Sequence, residues 1–475
     1  MNKTITIDPV TRIEGHARVF LNIGDDGSLA SAGLVVNELR GFERILAGME
    51  ADRMPLITAR ICGVCPAAHH LAASRALDSA AGVKAPPAGE LFRELLCLGH
   101  LIHSHVLSIF VLEGPDLVFG LDSDPSVRNV VGIVQANPEL AKKALRCRTL
   151  GQKIGEMVGG RGIHPVTSVA GGITFVLDND KKQHLVTWIN EINALVPELA
   201  AAAKGLLLKQ IDLHPSLMKG WVIPSWHLGT MKDGNAGMMG DTLRAVDDKG
   251  NVRVEFPTKD YDKHLVESVV DWSYMKEVRI KNDGALHDYR VGPLARVNLA
   301  DGFGTKAADS ELAEMRRLGG NPCHAVVFQA YARIVELLHA SERARDIIND
   351  PAIHGETRIP VKFQGGRGVG HVEAPRGTLI HDYEIDENGI VRSANLIVAT
   401  QQNYVSINKT IEKAAASHVI GRPDDAMLLN AVEFGIRCYD PCLSCATHAL
   451  GAMPIEIVIT ENGNTLRTIR RDSSW

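Results

Sequence analysis

Two cysteine pairs stand near opposite ends of this 475-residue chain. Cys62 and Cys65 lie in Arg60-Ile61-Cys62-Gly63-Val64-Cys65-Pro66-Ala67-Ala68-His69, and Cys442 and Cys445 in Asp440-Pro441-Cys442-Leu443-Ser444-Cys445-Ala446-Thr447-His448. A two-residue gap lets both sulfurs of a pair turn toward one metal, and two pairs make a four-thiolate set. A structural zinc site would enclose a short spacer of roughly 15–20 residues. Here most of the chain separates Cys65 from Cys442, so the whole fold must assemble the site. Spacing alone leaves redox dithiols open as the alternative. The other four cysteines, Cys97, Cys147, Cys323 and Cys438, are scattered and do not make an iron–sulfur set. The first residues, MNKTITIDPVTRIEGH, carry no apolar secretory core, and without one paired thiols point to metal or redox chemistry more than to structural bridges.

Bringing residue 62 beside residue 442 requires a large core, and 45% of the residues are hydrophobic. Net charge is −5 with no basic runs, which argues against a nucleic-acid partner or a polybasic membrane patch. The pattern is that of an α+β, multi-domain protein with a central long-helix core flanked by mixed α/β portions. Residues 1–55 form a β-rich segment, with alternating runs at His16–Ile23 and Leu29–Val36 around the turn Gly24-Asp25-Asp26-Gly27. Residues 56–220 are helical, broken at Ala85-Pro86-Pro87, Asn137-Pro138 and the stretch GGRGIHP. Within them Leu95–Leu112 has no Asp, Glu, Lys or Arg but carries His100, His103 and His105, and it is read as a buried core helix rather than a membrane span. Residues 221–400 are mixed, with a helix near Ala325–Ile348 and strands between Ile359 and Val398, including a hairpin around Asp386-Glu387-Asn388-Gly389. Residues 401–448 form a metal-binding segment with a short helix before the second cysteine pair. Residues 449–475 form an extension with a hairpin signal at Asn462-Gly463. The first and last β segments are expected to meet, since the chemistry needs both ends together.

The residues around the cysteines sharpen the reading. DPVTRIEGH (Asp8–His16), RGFE (Arg40–Glu43), RICGVCPAAH, GGRGIHP (Gly159–Pro165), APRGTLIH (Ala374–His381) and DPCLSCATH occur in one order. With them the chain resembles, along nearly its full length, the large catalytic subunit of NiFe-hydrogenases.

That resemblance implies a nickel held by all four thiolates, Cys62 and Cys442 terminal, Cys65 and Cys445 bridging to an iron with carbon monoxide and cyanide ligands. Soft thiolates suit both metals. It implies that the His69 ring N–H is directed at the Cys445 sulfur, although a histidine after CxxC is more often structural. By the same resemblance Glu14, otherwise an ordinary surface carboxylate, is a proton gate beside a terminal cysteine. Arg376 lies over the open coordination position with Asp116 and Asp440 around its guanidinium, and Thr400 matches the hydroxyl that bonds a cyanide. Glu43, His448 and the carbonyl of Leu396 are the implied ligands of a magnesium ion, where imidazole is the less usual donor.

The family also has a peptidase that cuts after the residue matching His448, once nickel is loaded, so residues 449–475 are expected to be removable; a permanent hairpin is the alternative. No GxGxxG follows a strand and no P-loop is present, so any nicotinamide site belongs to another subunit. Implied partners are an iron–sulfur small subunit, flavin- and NAD-binding diaphorase subunits, maturation factors and the endopeptidase. His103-Ser104-His105-Val106-Leu107-Ser108 departs from the membrane-bound respiratory pattern, and with LSCATHA it resembles the cytoplasmic, NAD-linked bidirectional branch. Deazaflavin-linked and viologen-reducing branches remain as neighbours. The quinone-site subunit of respiratory complex I shares the fold but lacks both CxxC pairs. Dihydrogen-sensing regulatory hydrogenases generally lack the tail, and a structural zinc protein is the remaining alternative.

Overall fold

The computed structural model describes residues 3–38, 41–420, 426–447, 455–461 and 464–471, and its first elements follow the alternation of the sequence. Val19 and Leu21 are wholly buried while Arg18 faces outward, so the strand Arg18–Ile23 gives one face to the core. It pairs antiparallel with Leu29–Val35 across a turn in which Asp26 accepts from the N–H and hydroxyl of Ser28. A preceding strand, Lys3–Ile7, completes a three-stranded sheet on its other edge. The connection between the first two strands carries Arg12 and Glu14 out to the C-terminal segment. There the Thr11 N–H donates to Glu433, and a parallel bridge joins Glu14 to Cys442.

Prolines that interrupt the helical periodicity open helices. Pro66 and Pro87 begin Pro66–Ala80 and Pro87–Leu107 where a missing N–H loses no bond, and Pro138 begins Pro138–Gly159 under an Asn137 cap. Pro87–Leu112 is long and apolar enough to cross a membrane, with mean hydropathy 1.9, but 78% of that window is buried inside the fold. It packs against Pro138–Gly159 and Phe328–Asn349, and the 35-residue helix Asn179–Leu213 covers both of these.

The middle of the chain supplies sheets. Trp226–Lys232, Thr242–Val246 and Val252–Pro257 run antiparallel, with Tyr289–Arg290 added in parallel. Leu265–Val270, Ser273–Asn282 and Ala285–His287 form a meander, and Gly366–Ala374, Gly377–Ile385 and Val391–Ile397 form the last three-stranded sheet. The strand Gly366–Ala374 lies directly on the helix Pro66–Ala80. A Cβ on Gly368 would stand 2.2 Å from the Ala76 carbonyl oxygen, and one on Gly370 2.2 Å from the Ala76 nitrogen. Glycine at both positions is what lets sheet and cysteine-bearing helix touch. The main apolar cluster runs from Ile7 to Ala446, and a smaller one gathers Leu228, Leu243, Ile280, Tyr289 and Ile380.

The expected meeting of the first and last β segments takes another form. Ile455–Glu461 and Asn464–Arg471 pair with each other, and among the described residues neither joins the N-terminal sheet. The ends of the chain meet instead through the Glu14–Cys442 bridge. The turn Asn462-Gly463 lies outside the described residues.

Candidate metal centre

Each cysteine pair sits on a short turn that runs into a helix. A single 3₁₀ turn, Ala59–Ile61, delivers Cys62 in extended conformation, and Cys65 then caps the helix Pro66–Ala80. The N–H groups of Val64 and Cys65 face Cys62 Sγ at 3.2 and 3.4 Å, which favours a thiolate there. Cys442 caps the turn Leu443–Ala446, and its own N–H donates to Thr400 Oγ1 at 2.9 Å. Gly15 has φ +84°, and a Cβ on it would lie 2.8 Å from Leu443 Cβ, so only glycine lets the N-terminal loop come this close.

The four sulfurs converge. Cys62 Sγ is 3.2 Å from Cys442 Sγ, Cys65 Sγ is 3.1 Å from Cys445 Sγ and 3.9 Å from Cys442 Sγ, and Cys442 and Cys445 are 2.9 Å apart. All four lie within 4.8 Å of one another, and none is more than 5% exposed. These separations exceed a disulfide bond of about 2.05 Å. The four named contacts, 2.9 to 3.9 Å, are within the roughly 4.6 Å that two metal–sulfur bonds of about 2.3 Å can span. Hydrogen bonds from Cys442, Cys445 and Cys65, aided by the charge of Arg376, hold the Cys62 thiol well below its ordinary pKa. Burial pushes Cys442 and Cys445 well above theirs. Ionising all four in this dry space therefore requires added positive charge, which a bound metal supplies. The donor set fits soft or borderline metals such as nickel and iron.

The expected neighbours mostly gather here. His69, one helical turn beyond Cys65, places Nε2 3.3 Å from Cys445 Sγ. Arg376, on the tight turn between Gly366–Ala374 and Gly377–Ile385, donates through Nε to the Asp440 carbonyl at 2.6 Å and through Nη2 to Asp440 Oδ1 at 2.9 Å. Asp440 adopts φ 49°, a left-handed geometry that turns both of its acceptors to the guanidinium. Arg376 Nη1 and Asp440 Oδ2 are buried without a hydrogen-bond partner in the protein. Burial disfavours the Arg376 charge, but Asp440 and the sulfurs of Cys442, Cys65 and Cys62 outweigh it and raise its pKa above the ordinary arginine value. Glu14 is half-buried, accepting from the Ser444 N–H at 3.0 Å and from the Ser444 hydroxyl.

Asp116 is a correction. It was expected beside Arg376, but Arg12 holds both its oxygens at 2.8 and 2.9 Å, Arg437 approaches at 3.0 and 3.2 Å, and Asn430 donates at 3.0 Å. Among the described residues no hydrogen bond or ion pair joins it to Arg376, since two other guanidiniums already fill its acceptor positions. Burial raises its pKa, but Arg437 and Arg12 more than offset this and hold it below the ordinary aspartate value.

The short helix Phe42–Leu46, which carries Glu43, packs against the strand Val391–Ile397, where buried Leu396 stands opposite His381. His448 lies outside the described residues. Sequence reasoning gave no role to His381 or Tyr383, which continue the line from His69, or to Ser444, Arg12, Asn430 and Arg437. His381 closes the APRGTLIH stretch and shares a strand face with Tyr383, a period-two signal that could have marked both.

A family profile described as nickel-dependent hydrogenase matches residues 40–130 and 242–448, and one described as HoxL-like matches residues 4–39. A vhu-type subunit of the F420-non-reducing hydrogenase of Methanococcus voltae is 42% identical over 413 residues, 86% of this chain and 98% of that protein. The beta subunit of the NAD-reducing hydrogenase HoxS of Cupriavidus necator is 35% identical over 488 residues, 98% of this chain and 99% of that one. Among solved structures, an NAD+-reducing NiFe-hydrogenase in the H2-reduced state has a TM-score of 0.89 at 35% identity, covering 94% of this chain and 99% of that one. Matches of this extent, on a chain whose two distant cysteine pairs close into one buried quartet, place it in the nickel-dependent hydrogenase family as a large subunit, an oxidoreductase acting on dihydrogen.

Proposed function

We propose that this chain cleaves and forms dihydrogen heterolytically at a nickel–iron centre held by Cys62, Cys65, Cys442 and Cys445. The observation that carries the reading is the closure of four buried sulfurs beneath the charged Arg376. When bound, the metals supply the electrophilic site and the electron acceptor for dihydrogen. The residues supply the rest. Arg376, kept charged and fixed at two nitrogens by Asp440, polarises and positions rather than serving as the base. Glu14 stands at the backbone bridge to Cys442, and its carboxylate receives protons and passes them toward Ser444 and the outer surface. Thr400 accepts from Cys442 N–H, which leaves its own hydroxyl proton available to a cyanide on iron. Glu43, the Leu396 carbonyl and His448 are assigned to a magnesium ion that braces the C-terminal segment.

Electrons leave through a partner. Burial pushes the remaining thiols up, Cys97 and Cys147 to about 12, Cys323 to about 11 and Cys438 well above its ordinary value, so none of these is a ready thiolate. An iron–sulfur small subunit is the assigned acceptor, with flavin- and NAD-binding diaphorase subunits beyond it; the Cupriavidus necator relative is named as NAD-reducing, which supports NAD as the final acceptor. An NAD-linked acceptor would place the enzyme in the cytoplasm. The Methanococcus voltae relative, named as F420-non-reducing, speaks against a deazaflavin acceptor behind the same small subunit. Residues 449–475, including the self-paired hairpin, are assigned as an extension removed after His448 by an endopeptidase once maturation factors have loaded the metals.

Elemental analysis and intact mass of active enzyme test this reading. The expected result is about one nickel and one iron in a chain ending at His448, with infrared bands from carbon monoxide and cyanide. Zinc alone, without those bands, would overturn the metal reading, and full activity in a chain retaining Trp475 would overturn the processing step.

A further inference from the structure

Behind Cys445 three wholly buried side chains touch in a line. His69 Nε2 is 3.3 Å from Cys445 Sγ, His69 Nδ1 is 3.0 Å from His381 Nε2, and His381 Nδ1 is 2.6 Å from the Tyr383 hydroxyl. His381 and Tyr383 are two apart on the strand Gly377–Ile385, so both point to the same face, against the helix that carries His69. Among these groups only the direction of the protons is open, and the chemistry of the ends decides it.

A metal-bound thiolate can only accept, so His69 must carry its proton on Nε2. Its Nδ1 is then a lone pair, and His381 must donate from Nε2. The Nδ1 of His381 is in turn a lone pair, and the Tyr383 hydroxyl is the donor that meets it. The phenol keeps its proton. Burial pushes its pKa well above the ordinary tyrosine value, with Asp382 and Glu43 acting in the same direction against one hydrogen bond from Thr58. With the protons placed this way each stays on its own heavy atom, and the line is a set of aligned dipoles rather than a transfer path.

We propose that His381 and Tyr383 are positioning residues that lock His69 as an Nε2–H donor to Cys445 and thereby set the electron density on that sulfur, an inference that rests on reading the four sulfurs as the nickel–iron ligands. The far end controls the near end. Without the Tyr383 hydroxyl, nothing in this line keeps the His381 proton off Nδ1, and with the proton there two lone pairs stand face to face between the rings. His69 relieves that contact by moving its proton to Nδ1, and Cys445 then loses its donor. A sulfur without that hydrogen bond donates more charge to its metals and makes the centre harder to reduce.

The test uses the assembled enzyme with its small subunit, carrying Tyr383→Phe or, separately, His381→Leu, which removes the donor to His69. Nickel and iron content are measured first, then the midpoint potential of the nickel paramagnetic signal. The expected result is unchanged metal content with the potential shifted to more negative values in both variants. Fully loaded variants whose potential matches the parent would overturn the proposal. Loss of nickel from Tyr383→Phe would also overturn it, by making the residue one of assembly rather than of tuning. A parent enzyme without nickel would overturn the metal reading itself, which separates the two failures.

Discussion

Arg376 reaches Asp440 through two nitrogens and leaves its third, Nη1, unpartnered in buried space, so its charge is aimed but not neutralised at that edge. Such an arrangement stabilises charge that develops in front of it. Proton acceptance falls to a softer group, and Glu14 is the carboxylate joined by backbone to a cysteine of the quartet. Glu14→Gln keeps an oxygen for the Ser444 N–H but cannot hold a proton. The exchange of dihydrogen with deuterons should fall by about 100-fold or more. Nickel and iron should stay at parental levels, because none of the sulfur contacts is altered. Undiminished exchange in a fully metallated Glu14→Gln enzyme would remove Glu14 from the mechanism.

Asp116 ties three elements together at one carboxylate. The helix Gly114–Phe119 presents it, the N-terminal loop brings Arg12, and the helix Ala426–Arg437 brings Asn430 and Arg437. This knot, together with the Thr11–Glu433 bond, holds the Glu14 loop against the segment that leads into Cys442. Removing the charge leaves buried Arg437 with only the longer 3.7 Å pairing to Glu433, a loss of up to about 3–5 kcal/mol for a broken buried pair. Asp116→Asn should show this in chemical denaturation at neutral pH. The pH dependence has a definite sign. The folded pKa of Asp116 is below the ordinary value, so its stabilisation is complete above about 3.9 and is lost as pH falls through the folded value. The variant should therefore lack this part of the acid destabilisation. Parent and variant curves that stay parallel through the acid range would show that Asp116 does not carry it.

At the scale of the whole molecule, the fold is a device for closing a loop of nearly four hundred residues onto one small volume. Two glycines let the sheet lie on the cysteine-bearing helix, and Gly15 lets the N-terminal loop lie on the second cysteine turn. Among the described residues this quartet is the only group of thiol, imidazole and carboxylate ligands close enough to hold a metal. The described residues thus offer electrons no second metal site as an onward relay. Purified alone, it should not reduce NAD with dihydrogen, and with an iron–sulfur small subunit it should reduce artificial dyes. Dye reduction confined to the two-subunit form, with NAD reduction only after diaphorase subunits are added, is the expected pattern. NAD reduction by the isolated chain would refute it.

What the sequence determined by itself is local and chemical. CxxC spacing brings two sulfurs to one side of a turn, Pro66, Pro87 and Pro138 open helices, and alternation marks Arg18–Ile23 and Leu29–Val35 as a hairpin. These follow from neighbours a few residues apart, and the ordered motifs added the family and most of the site. What only the tertiary structure decided is which donor meets which acceptor across hundreds of residues. Asp116 was legible as a functional carboxylate, but its choice of Arg12 and Arg437 over Arg376 depends on how three separate elements dock. The alternating β pattern of the tail was legible too, yet no local rule says that its strands pair only with each other. The line from Cys445 through His69 and His381 to Tyr383 is likewise invisible along the chain, because hydrogen bonds act over about 3 Å in space and carry no trace of sequence separation.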